Sequence, residues 1–343
     1  MSESQRVGQL FLLGLAGDRL GPAAIRAIRV DHVGSVWFVA TTTAGVQGVR
    51  AVADAVQAEA SPEATGDVGF YVAANQEGGE IQALQGPGFS RIPSALEQGA
   101  LSPAAVRTDA AAWGRQLAAA GINLDFAPVM DVVPPGTDAE NAPIGALRRA
   151  FGHDPLTVER HGVAFLRGMQ SAGVATTAKH FPGLGRVVAN TDFAGAVTDD
   201  VTTVDDPYLQ SFQRAIRAGI PFVMVALATY TRIDPSRLAV FSPIVIQRML
   251  RGDLGFRGVV VSDDLGSAVA VSAIPPAERA IEFIHAGGDM IVAKTVGAAV
   301  AMADALVARA ATETAFRRRV DQATERVLEA KQASGLLPCP ATG

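Results

Sequence analysis

Cysteine is almost missing: Cys339, near the end of the 343 residues, stands alone. An intrachain disulfide and a cysteine-based metal site are therefore excluded. Histidine is scarce, and its five copies lie far apart with no HExxH spacing, which removes the usual zinc hydrolase pattern. There is no GxSxG for a serine nucleophile. Neither GxxxxGK[ST] nor GxGxxG follows an apolar run, so phosphate cradling has no support. Positive charge is not in excess: 29 Lys and Arg against 34 Asp and Glu give a net charge of −5, with no basic stripe. Nucleic acid and anionic membrane surfaces thus have no electrostatic reason to bind. No apolar run approaches the roughly 20 residues that span a bilayer. The opening stretch MSESQRVGQLFLLGLAG lacks a basic start and its apolar part is short, so it does not read as a signal peptide. The expected compartment is the cytoplasm, or the exterior and cell wall if a leader has been removed.

What is present is apolar and regular. Hydrophobic residues make up 49% of the chain, enough for a large core rather than a disordered chain. Continuous apolar runs fall at Leu10–Leu15, Ser35–Ala40, Gly69–Ala74, Asn123–Val129, Ala175–Lys179, Phe222–Ala226, Gly258–Ser262 and Asp289–Ala293. Runs without alternation fit strands buried on both faces, as in a parallel sheet. Helical stretches with caps lie between them: Ser102-Pro103 to Gly121, Asp154-Pro155 to Gly173, and Ser242-Pro243 onward. Strands alternating with helices suggest a (β/α)8 TIM-type barrel, with a doubly wound open sheet as the alternative. No Pro-, Gly- or Ser-rich linker divides the chain. A single domain is expected over residues 1–335, with a flexible C-terminal tail over 336–343.

In a barrel, catalytic groups gather past the C-terminal ends of the strands. The segments NQEGGE, MDV, KHFPG, ATY, SDDLG and AK stand there, carrying Asn75, Glu77, Asp131, Lys179, His180, Asp263, Asp264 and Lys294. Each has a plainer reading as a cap, a loop brace or a satisfied core residue. His32, His153, His161 and His285 read as structural. A rim of carboxylates and amides with Lys179 and Arg149 available suits carbohydrate. A retaining glycosidase needs a carboxylate nucleophile and a proton donor about 5–5.5 Å apart.

The motifs NQEGGEIQ, GINLDFAPVMDV, RRAFGHDP, AKHFPGLG and FSPIVIQRMLRGDLGFRGVVVSDDLG occur in that order between Val7 and Gly335. In them the chain resembles glycoside hydrolase family 3, in particular its single-domain β-N-acetylglucosaminidases. The resemblance implies a (β/α)8 barrel, no metal and no organic cofactor, and a small carbohydrate as partner. It implies Asp263 as nucleophile and Lys179 with His180 as binders of sugar hydroxyls. It further implies Arg149, anchored by Phe151, as a sugar contact, Asp131 as a sugar contact or support, and Met224 as a flank of the sugar pocket.

Three departures stand out. Asn75 replaces the family's usual Asp and can bond a hydroxyl only without charge assistance. Glu80 replaces a basic residue. After KHFPG, the family's Asp-Ser-His becomes Asn190-Thr191-Asp192, so a carboxylate stands where the acid/base histidine is expected. Asp192 is then the expected proton donor, with Asn190 orienting it and a raised pKa required. The expected activity is that of a retaining exo-β-N-acetylglucosaminidase acting on cell-wall fragments or chitooligosaccharides. The alternatives are a β-glucosidase or other exo-β-glycosidase, a phosphorylase of the same family, and a catalytically silent sugar-binding barrel. The oligomeric state is left open.

Overall fold

Each of the eight apolar runs becomes one strand of a single closed parallel barrel. In the computed structural model, which describes residues 1–17 and 19–338, they are β1 (Phe11–Leu15), β2 (Ser35–Phe38), β3 (Tyr71–Ala74), β4 (Leu124–Asp125), β5 (Ala175–Phe181), β6 (Phe222–Val225), β7 (Val259–Asp264) and β8 (Met290–Ala293). The ring closes through the pairing of Phe11 with Ile291 and of Leu12 with Ser35. All five residues of β1 are buried, the signature of a strand covered on both faces. The open sheet is thereby excluded.

β4 is shorter than the apolar run that foretold it, because Pro128 has no N–H to give to a ladder. Pairing resumes past it where the amide of Met130 donates to the carbonyl of Lys179 at 2.7 Å. The Ala127–Pro128, Lys179–His180 and Phe181–Pro182 peptides are cis.

Helices cover the barrel. Pro103–Ala119 starts on Ser102, whose hydroxyl accepts from the Ala105 amide, and Pro155–Ser171 starts on Asp154, which accepts from the Thr157 amide. Both starts follow from a short polar cap followed by proline. The chain closes with helices Val296–Thr312 and Thr314–Ala333.

Charge is buried at the bottom of the barrel. Asp289, fully buried, faces Arg251, Arg319 and Arg326 and also accepts from the Val260 amide. Lys331, also fully buried, donates to Gln9, to Gly34 and to Gly69, using all three ammonium hydrogens. The last helix is thus tied to the entries of β1, β2 and β3. Removing the carboxylate of Asp289 leaves three guanidinium groups without their shared partner. Asp289→Ala should therefore lower the unfolding free energy by about 3–5 kcal/mol, read from urea denaturation. A loss under about 1 kcal/mol, the value of a surface pair, would show that the cluster is solvated.

The expected tail from residue 336 needs correction at its start. Leu336 accepts from the Gly69 amide at 2.7 Å, so the ordered chain runs past residue 335. The remainder of that expectation, residues 339–343 with Cys339, lies outside the described residues.

Candidate active site

Strand ends and the loops after them enclose a cavity of about 300 Å³ at the C-terminal mouth of the barrel. Its walls include Asn75, Arg149, Lys179, His180, Met224 and Asp263, all expected there, together with Asp192. The apolar part of the wall includes Trp37, Phe126, Pro143 and Leu147. Their side chains carry no ionisable group, so they shape the cavity without adding charge.

The adjacent acids Asp263 and Asp264, at the end of β7, divide their work. Asp264 is buried and accepts from the Gly266 amide, the Lys294 amide and the Ser267 hydroxyl. It holds the loops after β7 and β8 together. Asp263 accepts from the Asp264 amide at 2.8 Å through one oxygen. Both line the cavity, but both oxygens of Asp264 are occupied by amides and a hydroxyl, while Asp263 keeps one oxygen free.

The cationic side is neutralised from within. Glu77, 4% exposed, takes both Nε and Nη2 of Arg149 at 2.8 Å and the Lys179 ammonium at 2.6 Å. Burial alone would raise the carboxyl of Glu77. Arg149 and Lys179 outweigh it and hold the group down at about 2. Lys179 also donates to Oδ1 of Asn75 at 2.7 Å. An ammonium has three donors, so one remains for a ligand. Because the Asn75 oxygen is taken, its amide nitrogen is the group left to meet a substrate. Glu77, readable in the sequence as a loop charge, is the hub that keeps these two cations in register.

His180 is fixed by Asp131. Its Nδ1 lies 2.7 Å from Oδ2, and its amide donates to Oδ1 at 3.1 Å. The Leu184 amide donates to the same Oδ1. With Nδ1 donating to the carboxylate, Nε2 is the face turned to Arg149 Nη2, 3.4 Å away. Asp131, expected as a sugar contact or support, is fully buried behind His180 and is no part of the cavity wall. Its geometry is that of support. Glu80 is exposed and stands outside the wall as well.

Asp125, at the end of β4, was not anticipated. It is fully buried, accepts from the Gln76 amide through Oδ1, and leaves Oδ2 without a partner. Burial pushes it up to about 7, opposed by that hydrogen bond and by Lys179 and reinforced by Glu77. A charge closing the apolar stretch GINLDF was the signal available in the sequence.

The loop carrying Asp192 is pinned along its length. Gly185 is required at its start: a Cβ there would fall 1.8 Å from the Val132 carbonyl oxygen. Asn141 donates to the carbonyls of Leu184 and Val187. Arg186 pairs with Asp206 at 2.8 Å and lies 4.0 Å over the Tyr208 ring. Farther on, the carbonyls of Thr191 and Asp192 accept from the amides of Ala270 and Val269. Asn190 does not orient the Asp192 carboxyl as expected. Its side-chain oxygen accepts from the Asp192 amide at 2.9 Å, an Asx turn that sets the backbone.

Asp192 is open to solvent on its outer side and faces the cavity on the other. Burial against the cavity raises its pKa, and Asp263 and Asp264 raise it further. His180 and Arg149 pull it back in part. The solvent on the outer side limits the size of the shift. Two carboxyl groups, Asp263 and an Asp192 with its pKa raised, therefore face one cavity.

Of the other histidines, His161 lies between the carbonyls of Thr157 and Leu101, and His32 meets the carbonyl of Ala64. Neither they nor His153 and His285 line the cavity. Among the described residues no group of three His, Cys, Asp or Glu converges to hold a metal ion.

The model of the glycosyl hydrolase family 3 N-terminal domain matches residues 4–330. The chain belongs to glycosyl hydrolase family 3. A beta-hexosaminidase of Stenotrophomonas maltophilia is 35% identical over 292 residues, 82% of each chain. The crystal structure of a beta-N-acetylhexosaminidase from Beutenbergia cavernae superimposes with a TM-score of 0.96 at 48% identity, covering 97% of this chain and 99% of that one. A family 3 beta-N-acetylglucosaminidase from Paenibacillus covers all of this chain with 64% of its own, at a TM-score of 0.88 and 30% identity. The barrel expected from the motifs is thus the fold of the family. Among the described residues, no helix is long and apolar enough to cross a membrane.

Proposed function

We propose that this family 3 chain is a retaining exo-β-N-acetylglucosaminidase that releases terminal GlcNAc from cell-wall fragments or chitooligosaccharides. The observation that carries the mechanism is the pair of carboxyl groups facing one cavity, Asp263 with an oxygen free and Asp192 with its pKa raised. The similarity to hexosaminidases at 48% and 35% identity supports the choice of sugar.

Asp263 attacks the anomeric carbon as the bond to the leaving group breaks, forming a glycosyl-enzyme. Asp192 gives its proton to the departing oxygen. It then takes a proton from water as that water attacks the same carbon and frees the sugar and Asp263. Lys179, Arg149 and the Asn75 amide donate to sugar hydroxyls, His180 orients beside them, and Met224 packs against the ring. Three of these groups are held by Glu77 directly or through Lys179 before any sugar arrives, so little ordering remains on binding. A cavity of about 300 Å³ sits at the small end of ligand pockets, which suits one terminal sugar rather than the interior of a chain.

The test is direct. Aryl β-GlcNAc should be hydrolysed at least about tenfold better in kcat/KM than aryl β-glucoside, as the similarity to hexosaminidases implies. Free GlcNAc should be the product with phosphate present or absent, since an ionised Asp192 repels an incoming phosphate. Preference for the glucoside would move the protein to β-glucosidase. GlcNAc-1-phosphate as the product would make it a phosphorylase. Saturable GlcNAc binding without turnover would make it a binding protein.

A further inference from the structure

Phe193 follows Asp192 in the chain and lines the same cavity, yet it is 80% exposed. A lone exposed apolar side chain needs no explanation. Phe193 is not alone: Val269, whose amide bonds the Asp192 carbonyl, is 38% exposed. Its backbone is also fixed. The Phe193 amide donates to the Asn190 carbonyl at 3.0 Å, and the Asp192 amide to the Asn190 side chain at 2.9 Å. A phenyl ring is thus held in water, on an anchored backbone, at the edge of the site.

Resting on the glycosidase reading above, we infer that Phe193 is the platform for the leaving group, and that this group is a pyranose ring. A proton donor must come within hydrogen-bond reach of the glycosidic oxygen. Asp192 does so in the proposed mechanism, and the residue after it then lies toward whatever is attached beyond that oxygen. The apolar C–H face of a sugar ring matches an aromatic face, and covering Phe193 removes its apolar surface from water. Val269, bonded to the Asp192 carbonyl, and the Asp192 carboxyl lie beside Phe193. Phe193 acts by positioning and takes no part in proton or bond transfer.

Two substrates separate this role from its rivals: N,N′-diacetylchitobiose, which leaves as a ring, and β-GlcNAc fluoride, which leaves as a single atom. Phe193→Ala should lower kcat/KM on the disaccharide by about 10- to 100-fold, the loss expected when a buried Phe contact disappears. On the fluoride, kcat/KM should stay within about twofold of wild type, because binding at the leaving-group side is not used. Phe193→Trp should restore most of the disaccharide rate. An unchanged disaccharide rate in Phe193→Ala overturns the platform. A loss shared equally by fluoride and disaccharide also overturns it, because it assigns Phe193 to loop structure. Wild type inert toward both chitobiose and the fluoride would sink the glycosidase reading itself, and the platform with it.

Discussion

Asp263→Ala should lower kcat on aryl β-GlcNAc by about 10⁴-fold or more, since removing a covalent nucleophile leaves only binding and electrostatics. The location of Asp263 explains the size. Its backbone is fixed at the end of β7, and one carboxylate oxygen rests on the Asp264 amide, so the other is oriented before substrate arrives. Loss of the fold does not account for it, because the braces of this loop belong to Asp264. The decisive readout is rescue. Azide added to Asp263→Ala can enter the space of the lost carboxylate and attack the anomeric carbon while an activated aryl group leaves. The product is then α-GlcNAc azide. A residual rate within tenfold of wild type, or rescue giving the β-azide, would remove Asp263 from the nucleophile's role. Asp264→Ala should instead lower stability, because a buried amide-bonded carboxylate is deleted.

The second large effect belongs to Asp192, and it depends on the leaving group. Asp192→Ala should reduce kcat/KM on alkyl or sugar leaving groups by about 10²–10⁴-fold, the usual contribution of a general acid. Dinitrophenolate departs without a proton, so kcat/KM on dinitrophenyl β-GlcNAc should be nearly unchanged. The pH profile follows the same logic. Asp192 must be protonated to donate, and burial with Asp263 and Asp264 raises its pKa. Activity therefore persists as pH rises past the ordinary carboxylate range and is lost through the raised pKa. In Asp192→Asn that alkaline limb should vanish. Equal losses on both leaving groups, or an unaltered alkaline limb, would assign Asp192 to ordering the loop.

Much of this molecule was legible in the sequence. The positions of all eight barrel strands follow from uninterrupted apolar runs, because a strand buried on both faces has no place for alternation. Helix starts at Ser102 and Asp154 follow from cap chemistry that acts over three residues. Motif order pointed to the family, and the placement of polar groups past strand ends pointed to the mouth of the barrel.

What the sequence could not decide were the partners of side chains far apart along the chain. Nothing local tells Asp263 from Asp264; they differ because the β7 and β8 loops bring Gly266, Ser267 and the Lys294 amide to one of them. Asn190 was expected at the Asp192 carboxyl and instead bonds its amide, since an Asx turn is closer at hand. Glu77 reads as a loop charge until closure of the barrel sets it against Arg149, 72 residues away, and against Lys179. Asp131 became the support of His180 for the same reason. Local hydrogen bonding and burial pattern fix the elements, and these the sequence carries. The state of a carboxyl group depends on which charges and amides surround it, and only the closed barrel determines that.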